Sequence, residues 1–513
     1  MTSGMTKDQR LTRRQLMGAA GGLAVLGGGG LAAAELLGGK TATRERRLRG
    51  EVSGATGQVG SFRSRPDLKP PGVGATGPAH IQGHVLLAPS RNAGRVKIVQ
   101  AGPLIVDHRG EPVWFKPVAS DKRATNLRAT TYRGKPVLTW WEGGVVAMGG
   151  TYYGQGEGVI VDSSYRELAR VRPVGPHQMD LHEFVLTPEG TALFTCTPRL
   201  VNVDLRAIGG SRDAQVVESI IQEVDISSGR LLLEWRSIDH IRPSESYLPP
   251  SRQYDYLHAN SIDVTADGNL LVSGRGTWSL FKLERRTGAV MWRLGGKRSD
   301  FELEKGAQFA WQHHAVRVGD RHITVFDNGS DGTQHTEPQS RALVLDVDYS
   351  RHRVKLGHVY THPGKVSTAA MGSVQALPNG HVYVGWGFSQ QSSEFAPDGR
   401  LLSDMKLLPN GVNSYRAFRS HWHGHPREAP AIAVARDAHT ERHSVFVSWN
   451  GSTEVRYWLV EAGPHRRDLR SIGVARHSGF ETSISLGRLG GHVAVTALDE
   501  AGHRLARSRA VKL

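Results

Sequence analysis

Leu186-Thr187-Pro188-Glu189-Gly190, followed at once by Ala192-Leu193-Phe194, is a tight turn between two apolar segments, and it recurs. Ala266-Asp267-Gly268 precedes Leu270-Leu271-Val272, Pro378-Asn379-Gly380 precedes Val382-Tyr383-Val384, and Arg133-Gly134 precedes Val137-Leu138. Asp-Gly and Asn-Gly between apolar runs are strong hairpin signals, because a two-residue reversal needs φ > 0. A second hairpin, ending on an apolar residue, alternates with the first. It runs from His108-Arg109-Gly110 to Trp114, from Asp225-Ile226-Ser227-Ser228-Gly229 to Trp235, and from Leu283 through Thr287-Gly288 to Trp292.

The turn positions Gly134, Gly190, Gly268, Arg321 and Gly380 are separated by 56, 78, 53 and 59 residues, with Asp320-Arg321 filling the slot that lacks glycine. Four short strands and their loops take roughly 45–60 residues, the length of one propeller blade. Residues 81–427 then hold six blades, with seven as the alternative count. Long helical periodicity is nearly absent, which argues against a βαβ barrel. The expected fold is all-β, a six-bladed β-propeller. From about Pro430 the blade turns stop. Ala431–Ala435, His443–Trp449, Glu454–Leu459 and His492–Leu498 read as strands, with Asn450-Gly451 as a hairpin turn. Residues 428–513 are expected to form a C-terminal β-sandwich of the fibronectin type III kind.

Residues 1–40 read as an export signal. Thr12-Arg13-Arg14-Gln15-Leu16 stands before Met17–Leu37, a weakly apolar run rich in Gly and Ala without Lys or Arg. That pattern matches a twin-arginine signal, and Ala32-Ala33-Ala34 offers a cleavage site. The chain is therefore expected outside the cytoplasm, with the export machinery as a partner. Membrane contact is expected only through an uncleaved N-terminal segment, which is long enough to span. Residues 41–80 read as a basic, then Gly/Pro-rich linker without secondary structure.

Composition narrows the function. Of the net charge of +16, residues 1–50 carry +6, which leaves a diffuse +10. Nucleic-acid binding needs clustered Lys/Arg and is not expected; a mild attraction for anionic substrates is. A single cysteine, Cys196, excludes an internal disulfide and any multi-Cys metal site. Glycines lack the strand–GxGxxG–helix context of a dinucleotide site.

Three repeats carry a polar residue in register. His182, Asn260 and His313 each stand eight positions before their turn slot, and His258 lies two before Asn260 on the same expected strand face. Equivalent strand starts in a propeller converge on one mouth of the channel, and Arg275 follows the strand after His258. Imidazole serves as nucleophile and as general acid/base, and guanidinium forks onto oxyanions. Together they suit transfer of an anionic group through nitrogen, sulfuryl rather than phosphoryl, since no acidic cage for a divalent ion is evident. The alternatives are a metal site recruiting Asp180 or Asp327, and a non-catalytic or sugar- or quinone-binding surface propeller. Trp140-Trp141 is a candidate aromatic wall, and His421, His423 and His425 alternate as on one strand face.

These residues also carry a resemblance. Asp180-Leu181-His182-Glu183-Phe184, Leu257-His258-Ala259-Asn260-Ser261, Ser273-Gly274-Arg275, Trp311-Gln312-His313 and Phe326-Asp327-Asn328-Gly329 are similar to motifs of the bacterial arylsulfotransferases, in their secreted, actinobacterial-type branch. Ser340-Arg341-Ala342, Gly385-Trp386-Gly387 and Asn413-Ser414-Tyr415-Arg416 add to it. The resemblance implies a six-bladed propeller that moves sulfate from an aryl sulfate to a phenol by a ping-pong route. It needs no PAPS and implies no cofactor and no metal. It makes His313 the nucleophile that becomes sulfohistidine, with His314 the neighbouring alternative. His258 and His182 become acid/base or oxyanion contacts, and Arg275 and Asn260 sulfuryl contacts. Trp141 and Arg341 complete the expected substrate-binding set.

Overall fold

A computed structural model describes residues 50–52, 60–77, 83–91 and 99–513. The chain is nearly all β, arranged in several antiparallel sheets. Residues 1–40, read as the export signal, lie outside the described residues. Among the described residues no helix is long and apolar enough to cross a membrane.

Between residues 83 and 420 the strands fall into six four-stranded groups. One joins Val412–Ser420 to His84–Arg91, Leu104–Val106 and Pro112–Phe115, so the two ends of this region pair in a single sheet. Two groups, opening with Arg123–Tyr132 and Met179–Leu186, are linked through the pair Met179–Gly156. The remaining three open with Ala259–Val264, His313–Val318 and Ser373–Ala376. These innermost strands pack one against the next in a closed cycle that returns to Val412–Ser420.

The packing follows from strand geometry. Successive side chains point to opposite faces of a sheet, and each sheet here has a neighbour on both sides. Leu270 and Val272 pack toward Leu193, Ile221 and Trp235, while Leu271 between them packs toward Ile323, Val325 and Leu343. Six apolar cores result, one between each pair of successive sheets. Strands buried on both faces read as continuous apolar runs rather than alternations, which is what Leu270-Leu271-Val272 is. The glycines at 134, 190, 268 and 380 all adopt positive φ in turns between the first and second strands of their groups.

Two expectations are corrected. The segment read as a linker without secondary structure contributes strands Gly50–Val52 and Gly72–Thr76; the second extends the sheet of Leu401–Leu408. Asn450-Gly451 is not a hairpin turn, because His443–Ser448 and Tyr457–Gly463 belong to different sheets. Instead it docks on the ring of sheets. Asn450 Oδ1 accepts from the Phe115 N–H at 2.9 Å, its Nδ2 donates to the Phe115 carbonyl at 2.9 Å, and the Gly451 N–H donates to Val113 O at 2.8 Å. The two C-terminal sheets enclose one core around Trp458, Val447, Ile484 and Val495.

Candidate active site

The site lies where the innermost strands begin. Five of these strands run from that end to a tight turn, so the antiparallel second strand returns to it. The connections between second and third strands therefore gather around the strand starts; they deliver Arg275 and Asn328, and Tyr153 comes from the start of the third strand Thr151–Asp162.

His182 Nδ1 lies 2.5 Å from Asp180 Oδ2, and that carboxylate also accepts from the Gly154 N–H and the Thr195 hydroxyl. Burial by itself raises the Asp180 carboxyl, but His182 and these donors outweigh it and hold the group below the usual carboxylate range. His258 Nδ1 lies 2.7 Å from Asp255 Oδ2, to which the Tyr153 hydroxyl donates at 2.7 Å. Burial lowers the His258 pKa against the opposing pull of Asp255. The His182 and His258 rings meet edge to face at 4.7 Å, with Tyr153 against both.

His313 is held differently. Asn328 Nδ2 donates to the carbonyls of Thr368 and Met371, so its Oδ1 is the acceptor toward His313 Nδ1 at 2.7 Å. The proton therefore sits on Nδ1, and Nε2 carries the lone pair, which accepts from the Met371 N–H at 3.3 Å. Burial, then the charge of Arg275, pushes the His313 pKa well below its ordinary value, so the imidazole stays neutral. Arg275 has one guanidinium hydrogen bond among the described residues, Nη2 to Ala369 O at 3.0 Å. Tyr415 reaches in from the opposite sheet, its ring 5.6 Å from that of His182 and 6.3 Å from that of His313.

The backbone is bent to make this cluster. Non-glycine residues take the left-handed region at Asn126, His258, Trp311, His314 and Met371, with φ between 49° and 67°. Such residues are costly and persist where packing over-determines them. Five of the innermost strands also break register at the site end, between Thr125 and Arg128, Met179 and Phe184, Ala259 and Ser261, His313 and Val316, and Ser414 and Ala417. A bulge re-aims neighbouring side chains. It separates His313 from His314, whose Nδ1 accepts from the Val374 N–H at 3.2 Å and whose ring packs on Phe418. Of the two, His313 faces the cluster.

His182, His258, His313 and Arg275 thus come together as expected; three other residues do not join them. Asn260 donates its amide to the Gln312 carbonyl at 2.8 Å and stitches two sheets, because the bulge after Ala259 breaks the alternation that put it beside His258. Trp141 is fully buried among Phe184, Phe194 and Ile220, with Nε1 donating to Met179 O, so it is a core residue rather than a wall for substrate. Arg341 is neutralised by Asp327 at 2.6 Å and Glu337 at 2.9 Å and braces the turn that carries Asn328. Of the alternating histidines, His425 pairs with Glu454. Among the described residues no group of three His, Cys, Asp or Glu side chains is arranged to hold a metal.

Sequence reasoning missed Tyr153, Asp255, Asn328 and Tyr415 as members of the site. Asp255-x-x-His258 and Asp180-x-His182 carry a local signal, a carboxylate beside an imidazole. Tyr153 and Tyr415 carry none, since neither stands at the turn offset that His182 and His313 share.

Comparison with known proteins bears on what this arrangement does. No curated protein matches the sequence. Solved structures that match include TolB from Acinetobacter baumannii, 14% identical, covering 66% of this chain and 68% of that one with a TM-score of 0.39. A protein of unknown function from Bacteroides caccae is also 14% identical, covering 66% of this chain and all of its own, with a TM-score of 0.36. The family model for arylsulfotransferase (ASST) matches residues 128–406, a stretch that contains His182, His258, Arg275, His313 and Asn328. With more than half of its length matched, the chain belongs to the arylsulfotransferase family.

Proposed function

We propose that the protein moves a sulfuryl group from an aryl sulfate to a phenol through sulfohistidine at His313, without PAPS. The six sheet groups act as the blades of a propeller whose mouth holds the site, and the C-terminal sheets as an appended sandwich. The observation that carries this reading is the state of His313, a buried, neutral imidazole with Nδ1 tied to Asn328, in the company of Arg275 and two carboxylate-backed histidines.

In the first half-reaction the Nε2 lone pair of His313 forms a bond to sulfur while the sulfur–aryl oxygen bond breaks. The electron pair of that bond leaves with the phenolic oxygen, which takes a proton from an imidazolium of an Asp–His pair. Asp255 and Asp180 stabilise that cation and fix the ring tautomer. Arg275 holds the sulfuryl oxygens, which gather charge in transfer. In the second half an incoming phenol gives its proton to the same imidazole, its oxygen bonds to sulfur, and His313 is released. Arg13-Arg14 would direct export, which conversion of both to Lys should abolish.

Incubation with p-nitrophenyl sulfate tests the reading. Nitrophenol release that depends on added phenol, with acid-labile label from 35S-donor on the peptide containing His313, supports it. Label on His314, or turnover with no labelled histidine, overturns the assignment.

A further inference from the structure

One polar group at the centre of the cluster has no use in the scheme above. Tyr415 is 3% exposed, and the polar group beside its hydroxyl among the described residues is the Arg416 guanidinium, a donor, so the hydroxyl proton has no acceptor. A buried hydroxyl whose proton has no acceptor is uncommon and calls for a reason. Its neighbours narrow that reason. The ring sits edge-on between His182 and His313, with the Arg416 guanidinium 5.2 Å from its centroid on the other side. The bulge between Ser414 and Ala417 makes this possible, turning Tyr415 toward His182 and His313 while the buried Arg416 pairs with Glu183. Arg416 also donates to the backbone carbonyls of His182 and Asn260, so the strand carrying Tyr415 is fastened to the strand of His182 and to the strand that follows His258.

We propose that Tyr415 is a further catalytic residue, its hydroxyl donating a hydrogen bond to a sulfuryl oxygen as the group passes to and from His313. The proposal rests on the sulfuryl-transfer reading. A sulfuryl group in transfer presents three oxygens around sulfur, and Arg275 approaches from the Ala259–Val264 sheet on the far side of the ring. Tyr415 supplies a donor from the opposite wall, where Asp180 and Asp255 leave their imidazoles directed toward the aryl oxygen. No proton changes hands at Tyr415. Burial pushes its phenol well above the ordinary value, so it remains a donor across the working pH range and is unfit as a base.

Tyr415→Phe keeps the ring and removes the donor. The expected result is a fall in kcat on the order of 10- to 100-fold with little change in KM for the aryl donor. The fall should be the same for p-nitrophenyl sulfate and for phenyl sulfate, a poorer leaving group, and should appear in both half-reactions. Vanadate, an oxyanion that takes up the geometry of the transferring group, should bind the variant more weakly by a similar factor, while phenol binds unchanged. A loss that steepens with the poorer leaving group would make Tyr415 the acid for that group and overturn the proposal. So would a variant equal to the parent in turnover and vanadate affinity, or one whose loss tracks only a lowered Tm. A parent protein that neither cleaves aryl sulfates nor binds vanadate would instead overturn the sulfuryl-transfer reading itself.

Discussion

The two ends of the ring of sheets use the same backbone conformation for opposite purposes. At the turn end, left-handed φ falls on glycines 134, 190, 268 and 380, where a side chain is simply omitted, and besides them on Arg133, next to the first. At the site end it falls on His258, Trp311, His314 and Met371, which keep their side chains and are held by packing and hydrogen bonds. A glycine turn is stable on local grounds, since it has no Cβ to clash. A left-handed histidine is stable only because strands from other sheets fix both of its flanks. The turn end therefore sets the repeat, and the site end places the chemistry.

The sharpest test of that division is His313→Ala. Turnover should fall by on the order of 10³-fold or more, with Tm nearly unchanged, because the imidazole supplies chemistry rather than core. A large loss of Tm with residual turnover would reverse the roles of the two ends. Next in size is Asp255→Asn. It leaves His258 in place but removes the charge behind its imidazolium, and kcat should drop on the order of 100-fold. An unchanged pH–rate profile would show that His258 takes no proton.

Gly268→Ala tests the opposite end. No atom lies within 4 Å of the added Cβ, so the expected cost of about 1 kcal/mol is backbone strain alone. Chemical denaturation should register it while kcat stays at the parent value. A change in kcat would show that the turn end communicates with the site. A pH-dependent effect is expected between the two ends, at Asp263. Burial raises its carboxyl pKa to about 7, against the ordinary carboxylate value. A group raised in the folded state contributes stability that is full below its unfolded pKa and is lost as pH rises through the folded one. Tm should therefore decline between about pH 4 and about pH 7, and Asp263→Asn should flatten that decline. A parent profile no steeper than that of the variant would remove Asp263 from the account.

His182 and His313 were legible because each stands eight positions before a turn, and the turn is a local signal. The failures share one cause. Asn260 stands at the same offset and was paired with His258 by strand alternation, which the bulge after Ala259 interrupts. Trp141 was read as a wall because a sequence does not tell a core tryptophan from an exposed one; the Gly154 and Gly156 backbones approach its ring so closely that no side chain would fit there. Asn450-Gly451 has the composition of a hairpin turn, but its polar groups are satisfied by Phe115 and Val113, more than 330 positions away.

By itself the sequence determined the β class, the spacing of the repeats, the turn glycines and three histidines with an arginine. These depend on propensities and periods that act over a few residues. The tertiary structure decided which of two adjacent histidines faces the site, which carboxylates and amide fix the ring tautomers, and that Tyr153 and Tyr415 complete the cluster. Those outcomes depend on bulges and on hydrogen bonds between sheets. A bulge is an irregularity of pairing, and pairing partners are chosen by the fold as a whole.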